Sequence, residues 1–214
     1  MHNGAGLGEI SKRRVVVRII GPLVVFVGSV HPALAHAPIK GIGAFYNGML
    51  HPLLVPTHLL VLVSLGLLIG QHAPQASRTG WPVFVLALLG GLGLGFTHAT
   101  GVPEPGLLAI ALTAGLLVAL AYPFAAPALA VLAAAGGTAV GMDSMPDTGG
   151  TRETWLLLAG TAIGTTLVFS YAGGLAATLD RPWQRIGVRI AGSWAAAAAA
   201  MVLALALAGS PKGV

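Results

Sequence analysis

The sequence is poor in three classes of residue, and each scarcity excludes a class of protein. The 214 residues include no cysteine, which rules out disulfides, thiolate metal sites and cysteine nucleophiles. Charged residues make up only 8% of the chain, whereas about a quarter of a soluble domain is charged. Aromatic residues are also few, at 6%. An ordinary water-soluble globule is therefore excluded.

The abundant residues are apolar or small. Hydrophobic residues account for 56% of the chain, the mean hydropathy is +0.86, and there are 31 glycines. Glycine lets helices approach one another closely inside a bilayer. The composition therefore predicts an all-α integral membrane protein whose partner is the lipid bilayer.

Residues 1–35 have the order of a secretory signal peptide. A cluster of four basic residues that begins at Lys12 precedes the short apolar run of residues 19–30, and a small-x-small sequence ends at Ala35. We predict cleavage after Ala35 and a mature chain that begins at His36. The alternative is a retained first helix that would add one span.

The high pI of about 10.3 does not indicate a nucleic-acid partner. Four of the eleven basic residues and one of the six acidic residues lie in the predicted leader. The mature chain would then carry seven basic against five acidic residues. No nucleic acid is expected to bind so small an excess.

Six apolar stretches follow the predicted leader, and each has about the length needed to cross the hydrocarbon core. The third and fourth form a tight hairpin around Pro123. None of the connections is long enough for a soluble domain. We predict a single six-helix transmembrane domain over residues 36–214, with approximate spans at 45–70, 81–101, 106–122, 124–141, 154–179 and 188–208.

The distribution of charge predicts the orientation. Basic residues near membrane helices favour the cytoplasmic side, and Arg181, Arg185 and Arg189 cluster after the fifth stretch. The opposite, periplasmic side of the membrane then holds most of the carboxylates, which would attract cations. We predict a multi-pass protein of the bacterial inner membrane whose mature amino terminus is periplasmic.

Glycine pairs spaced by four residues predict close helix contacts. They occur at Gly91 and Gly95 and at Gly160 and Gly164. Such faces could also form a homo-oligomer.

The most informative stretch is residues 51–58, which read His-Pro-Leu-Leu-Val-Pro-Thr-His. Ionisable groups inside a span are costly, so each histidine is a functional hypothesis. His51 and His58 share one face of an ideal helix but lie about 10.5 Å apart along its axis. Because Pro52 and Pro56 lack amide protons, we expect the helix to bend or open here, which would give one site or two successive stations.

Other residues near the outer face could complete a metal site. His98 ends the second predicted span, and Glu104 and Asp143 lie just beyond the predicted spans. Imidazoles with carboxylates suit borderline divalent ions such as Ni²⁺, Co²⁺ and Zn²⁺. His36 and Thr57 are weaker candidates for the same site.

Several polar residues are expected to have structural roles. His72 is interpreted as a solvated loop residue. The hydroxyls of Thr161, Thr165, Thr166 and Ser170 are expected to bond to carbonyls of their own helix, although they could instead line a pore. No pairing of nucleophile and base favours an enzyme.

The chain resembles the HupE/UreJ family, hydrogenase and urease accessory membrane proteins regarded as nickel or cobalt permeases. The family motif has the form His-Pro-x-x-Gly-x-Asp-His in the first span. This sequence matches it at His51, Pro52 and His58, and it departs from it at Val55 and Thr57, which replace glycine and aspartate. The order of leader and spans matches over nearly the whole length, and residues 97–104 loosely match a second motif.

The resemblance and the residues together predict a secondary permease for a divalent transition-metal ion, with Ni²⁺ or Co²⁺ favoured. No prosthetic group is expected. One alternative is a haem protein that uses His51 or His58 with His98 as axial ligands. Another is an assembly or scaffold protein that transports nothing.

Overall fold

The computed structural model describes residues 41–95, 102–146 and 151–209, and these are helical with short connections and no strands. The seven helices of this described part are α1 (Gly43–Leu54), α2 (Pro56–Gln71), α3 (Gln75–Gly95), α4 (Glu104–Leu120), α5 (Ala126–Asp143), α6 (Thr151–Thr178) and α7 (Pro182–Gly209). The all-helical prediction holds for these residues.

The first apolar stretch forms two helices rather than one. Helices α1 and α2 meet at an angle of 71° with a break at Val55. Val55 has an extended backbone, with φ −95° and ψ 106°. The following Pro56 explains this conformation because a proline ring disfavours the helical conformation of the residue before it. The predicted bend is therefore confirmed.

The helices are long and apolar enough for a multi-pass membrane protein. Four of them, α3, α5, α6 and α7, satisfy the length and hydropathy expected of a span, and α1 with α2 would make a fifth if the bent pair crosses once. Helix α4 is apolar but has only 17 residues. The total of six spans stays a prediction.

The exposed side chains are also those of a lipid-facing surface. Large aliphatic residues on several helices have more than half of their surface exposed: Leu86, Leu120, Val131, Leu167 and Leu205. Exposing such an apolar surface to water costs free energy, whereas exposing it to the hydrocarbon of a bilayer does not.

Helix α2 lies at the centre of the bundle. Eleven of its sixteen residues are buried, and it contacts α4, α5, α6 and α7. Helix α3 pairs closely with α5, and α4 pairs with α7. The side chains carried by α2 are therefore withdrawn from lipid.

Helix α6 supports both halves of the broken segment. Its Gly160 and Gly164 lie against the backbone of α1 at Phe45 and Met49, where an added Cβ would collide with carbonyl oxygens. The helix contact predicted for Gly160 and Gly164 is therefore a contact between α6 and α1 of the same chain. Homo-oligomerisation through glycine faces stays a prediction.

The two halves meet α6 in different registers. Gly164 of α6 touches Met49, whereas Phe169 touches Gly66. Seventeen residues separate Met49 from Gly66, but only five separate Gly164 from Phe169. The intervening segment, which contains His51 and His58, must therefore turn away from α6 and return to it.

Candidate metal centre

The break at Val55 brings the two histidines of the first apolar stretch together. Their ring centroids are 5.1 Å apart and the ring planes are inclined at 70°. A straight helix would separate these residues by about 10.5 Å along its axis. We call His51 and His58 the histidine pair.

His58 is held by a carboxylate from a distant helix. Its side chain is fully buried, and its Nε2 lies 2.9 Å from Oδ2 of Asp143, the last residue of α5. A carboxylate only accepts hydrogen bonds, so the proton of this bond belongs to Nε2 of the imidazole. Asp143 keeps 26% of its side chain exposed, so it lies at the rim of the bundle.

The second nitrogen of His58 is the chemically available atom. Its Nδ1 is buried, and none of the described residues offers it a hydrogen bond. A neutral imidazole that donates through Nε2 has a lone pair on Nδ1. Metal-binding histidines commonly have this arrangement, in which a carboxylate fixes the ring and the other nitrogen binds the ion.

The separation of the histidine pair fits one shared ion. A nitrogen of each imidazole must lie about 2.0–2.1 Å from the ion, which at a tetrahedral angle places the ring centres about 5 Å apart. Within the described ranges, however, no three His, Cys, Asp or Glu side chains form a group that could hold a metal. Two imidazoles would leave the remaining positions to water or backbone carbonyls.

The helix break contributes charge and acceptors. Pro56 has no amide proton, so it cannot bond to the carbonyl of Pro52. The end of α1 carries about half a negative charge and the start of α2 about half a positive charge, which nearly cancel where they meet. The full charge of the Asp143 carboxylate therefore determines the local field, and it favours a cation.

The remaining predicted site residues differ in position. Thr57 is buried beside His58 at the start of α2. Glu104 is exposed at the first residue of α4, and the one ion pair among the described residues does not include it. His98 and His36 lie outside the described residues. The structure thus brings together His51, His58 and Asp143 from the predicted set.

Three buried hydroxyls were not recognised as a group from the sequence. Ser64, Thr161 and Thr165 are fully buried, and their oxygens have no hydrogen-bond partner in the described part of the chain. The expectation that Thr161 and Thr165 bond to their own helix is therefore wrong. Burying a hydroxyl without a partner costs about 1–3 kcal/mol, so three such groups are expensive to keep.

The sequence contains one feature that draws attention to Ser64. Ser64 is the one polar residue in the apolar segment of residues 59–69. Serine and threonine in a membrane helix commonly bond to their own backbone, so sequence alone does not distinguish an unpaired hydroxyl from a satisfied one.

His72, a partly exposed residue in the turn after α2, also has a structural role. Its Nδ1 lies 2.9 Å from the carbonyl oxygen of Leu68. Its Nε2 lies 2.9 Å from the carbonyl of Tyr122, in the connection between α4 and α5. The ring therefore joins the end of α2 to that connection, while it stays partly exposed in the turn where the sequence placed it.

Comparison with known proteins gives one family match. The family model described as HupE / UreJ protein matches residues 23–203, which is most of the chain. Neither the curated proteins nor the solved structures give a significant match.

Proposed function

Because the chain belongs to the HupE / UreJ family, we propose that it is a permease for a divalent transition-metal ion, with Ni²⁺ or Co²⁺ favoured. Membership places it among membrane accessory and transport proteins rather than in a known enzyme family. The histidine pair would bind the ion during passage.

The environment of His58 is the observation that carries this proposal. Its Nε2 is held by Asp143, and its buried Nδ1 has no partner among the described residues. The ring of His51 lies 5.1 Å away, between centroids. An ion bound to both imidazoles would occupy the unused nitrogen of His58 and compensate for its burial.

Asp143 supplies the carboxylate that the family motif places beside the second histidine. In this chain that motif position is Thr57, a poorer cation ligand. Asp143 reaches His58 from α5 instead, across 85 residues of sequence. It acts as a positioning residue, since its bond fixes the ring and raises the basicity of the nitrogen that binds the ion.

The bent segment suits a site that must release its ion. Transporters often bind ions where a helix is interrupted, because the break frees carbonyls and permits motion. Two imidazoles with weaker remaining ligands would hold a partly hydrated ion without trapping it. Movement of α1 relative to α2 about Val55 would open the site to one side or the other.

We further propose that the ion moves inward from the periplasm across the bacterial inner membrane. No ATP-binding motif occurs in the sequence. The membrane potential alone would supply about 4.6 kcal/mol per 100 mV for a divalent ion. That amount is sufficient for secondary uptake against a thousandfold gradient.

Calorimetric titration of the detergent-purified chain with Ni²⁺ and Co²⁺ tests this proposal. We expect Asp143→Asn to lower the affinity about 10- to 100-fold and His58→Ala to lower it further. His51→Ala should weaken binding similarly to His58→Ala. His72→Ala is the matched control, because it removes a histidine from the other end of the same segment, and it should bind like wild type.

The visible spectrum of the same samples tests the haem alternative. A Soret band in the wild type that is lost in His51→Ala or His58→Ala would contradict the permease. Equal metal affinity in the wild type and all histidine variants would also contradict it and would favour a scaffold protein.

A further inference from the structure

We propose that a groove between α3 and α6 binds an anionic phospholipid, with the phosphate at Arg78. The groove has a volume of about 420 Å³, and it is lined by Ile69 at its base and by Arg78 and Trp81 at its rim. It lies at the far end of α2 from His58. The inference is therefore independent of the proposed metal transport.

Two contacts between α3 and α6 close the groove toward the middle of the bundle. Nε1 of Trp81 donates a hydrogen bond to Oγ of Ser170 over 2.7 Å. The rings of Phe84 and Phe169 are stacked, with their centroids 4.0 Å apart. These contacts fix the two helices relative to each other, so the groove is a built feature of the bundle.

Glycine residues of α6 keep the groove open. Gly173 and Gly174 both line it. Gly173 packs against the backbone of Gly66 in α2, behind the groove. A Cβ added at Gly174 would meet no atom within 4 Å. The space in front of Gly174 is therefore free for a ligand, and a larger side chain at this position would occupy it.

The groove opens on the surface that faces lipid. Arg78, Pro82 and Gly174 are exposed. Leu86 is 69% exposed, and it follows Pro82 by four residues on the same face of α3. A phospholipid whose phosphate lies at Arg78 would therefore place an acyl chain along Pro82 and Leu86.

Arg78 gives the groove a positive charge. It lies in the first turn of α3, and none of the described residues forms an ion pair with it. No aspartate or glutamate of the described part of the chain lines the groove. The positive start of α3 and the negative end of α6 lie on either side of it and nearly cancel. The charge of Arg78 therefore determines the local field, which favours an anion.

A second cavity at the same end of the bundle is less suited to an anion. It has a volume of about 250 Å³ and is lined by Arg185, Arg189 and Asp180. The carboxylate of Asp180 opposes an anion there. Nε of Arg189 already donates to the carbonyl of Ala119. Arg78 is therefore the better candidate for binding a phosphate.

The polar groups of the groove match the headgroup region of a phospholipid. The guanidinium of an arginine presents a planar set of donors that fits phosphate oxygens. Ser170 accepts a bond from Trp81 and keeps its own proton, which it would donate to an ester oxygen. In the predicted orientation this end of the bundle lies in the cytoplasmic leaflet, whose surface is negatively charged.

Quenching of Trp81 fluorescence by brominated phospholipids tests this site. The other three tryptophans, Trp155, Trp183 and Trp194, are exposed and would be replaced by phenylalanine. We expect brominated phosphatidylglycerol to bind about fivefold more tightly than brominated phosphatidylcholine, which is the effect of one basic residue near a membrane surface. About 1 M salt should reduce this preference, because it screens charge beyond about 3 Å.

Two variants separate the charge from the groove. Arg78→Gln should lower the preference for phosphatidylglycerol to about one. Gly174→Leu should also remove it, because the new side chain fills the groove. Gly90→Leu is the matched control, since Gly90 lies in equally open space on α3 but outside the groove, and it should keep the wild-type preference.

Two results would overturn the site. Equal quenching of wild type by both lipids would mean that Trp81 meets only the general lipid around the bundle. A preference that is lost in Arg78→Gln but kept in Gly174→Leu would mean that surface charge alone attracts the lipid. Neither result bears on the histidine pair, and loss of Ni²⁺ binding by His58→Ala would not affect the groove.

Discussion

His58 and His72 lie near opposite ends of the same helical segment, and their surroundings assign them different roles. Both ring nitrogens of His72 face backbone groups, with Leu68 and Tyr122 carbonyls at 2.9 Å and the Phe124 amide at 3.5 Å. His58 has one nitrogen on Asp143 and one without a partner among the described residues. A fully bonded ring stabilises a fold, whereas an open nitrogen is available to a ligand.

We therefore expect His72→Ala to change stability rather than binding. Loss of hydrogen bonds to the connection between α4 and α5 should lower the free energy of unfolding by about 1–2 kcal/mol. Thermal unfolding in detergent would measure this loss. His58→Ala is the comparison. An equally large loss of Ni²⁺ affinity in both variants would contradict the assignment of metal binding to His58 and of a structural role to His72.

At the scale of elements, the interruption between α1 and α2 creates the site. Pro52 lies inside α1, Val55 is extended, and Pro56 begins α2. Neither proline can donate an amide hydrogen bond, so the helix has lost two of its internal bonds at this point. The 71° bend shortens the distance between the histidine rings, and the packing of both halves on α6 holds it in place.

Pro56→Ala should weaken the metal site without unfolding the chain. An amide proton at position 56 can bond to the carbonyl of Pro52, which favours a straighter helix and moves the histidines toward a separation of about 10.5 Å. We expect Ni²⁺ affinity to fall at least tenfold with no loss of thermal stability. Calorimetric titration and thermal unfolding would measure these changes.

Pro82→Ala is the matched control, because Pro82 lies within α3 and is exposed. It should retain the affinity of wild type. Wild-type affinity in Pro56→Ala would mean that the break does not position the histidine pair.

At the scale of the whole molecule, the bundle has two chemically different ends. Asp143 and the histidine pair lie toward one end, and Arg185 and Arg189 line the cavity at the other. Exposed aromatic residues lie near both ends of the bundle. Tyr46 and Trp155 are near the starts of α1 and α6, and Trp183 is near the start of α7. Tyrosine and tryptophan favour the two membrane interfaces, so these side chains indicate where lipid headgroups would lie.

Single-cysteine variants can test the predicted orientation directly, because the chain has no native cysteine. A membrane-impermeant maleimide should label Glu104→Cys and Glu153→Cys from the periplasmic side. Gln75→Cys and Tyr122→Cys should react only after the inner membrane is opened. The reverse pattern would invert the orientation, and labelling of all four from one side would contradict the six-span arrangement.

Much of the architecture could be predicted from local patterns. Long apolar runs predicted membrane helices, and Pro52 and Pro56 predicted the bend, because both features depend on residues close in sequence. The family was identified from His51, Pro52 and His58 and from the order of segments, and the family model confirms it. The number of spans and the signal peptide stay predictions.

The sequence by itself thus determined the class of protein, the position of the helix break and the two histidines beside it. The tertiary structure alone decided that Asp143 holds His58, that His72 joins a loop, and that Thr161 and Thr165 remain unpaired among the described residues. The physical reason is that α5 and α6 are apolar around most of their circumference, so periodicity does not show which face meets α2. The face that meets a neighbouring helix is determined by the packing of glycines against backbone atoms of that helix. This packing also determines which groups lie close enough to bond to each polar atom.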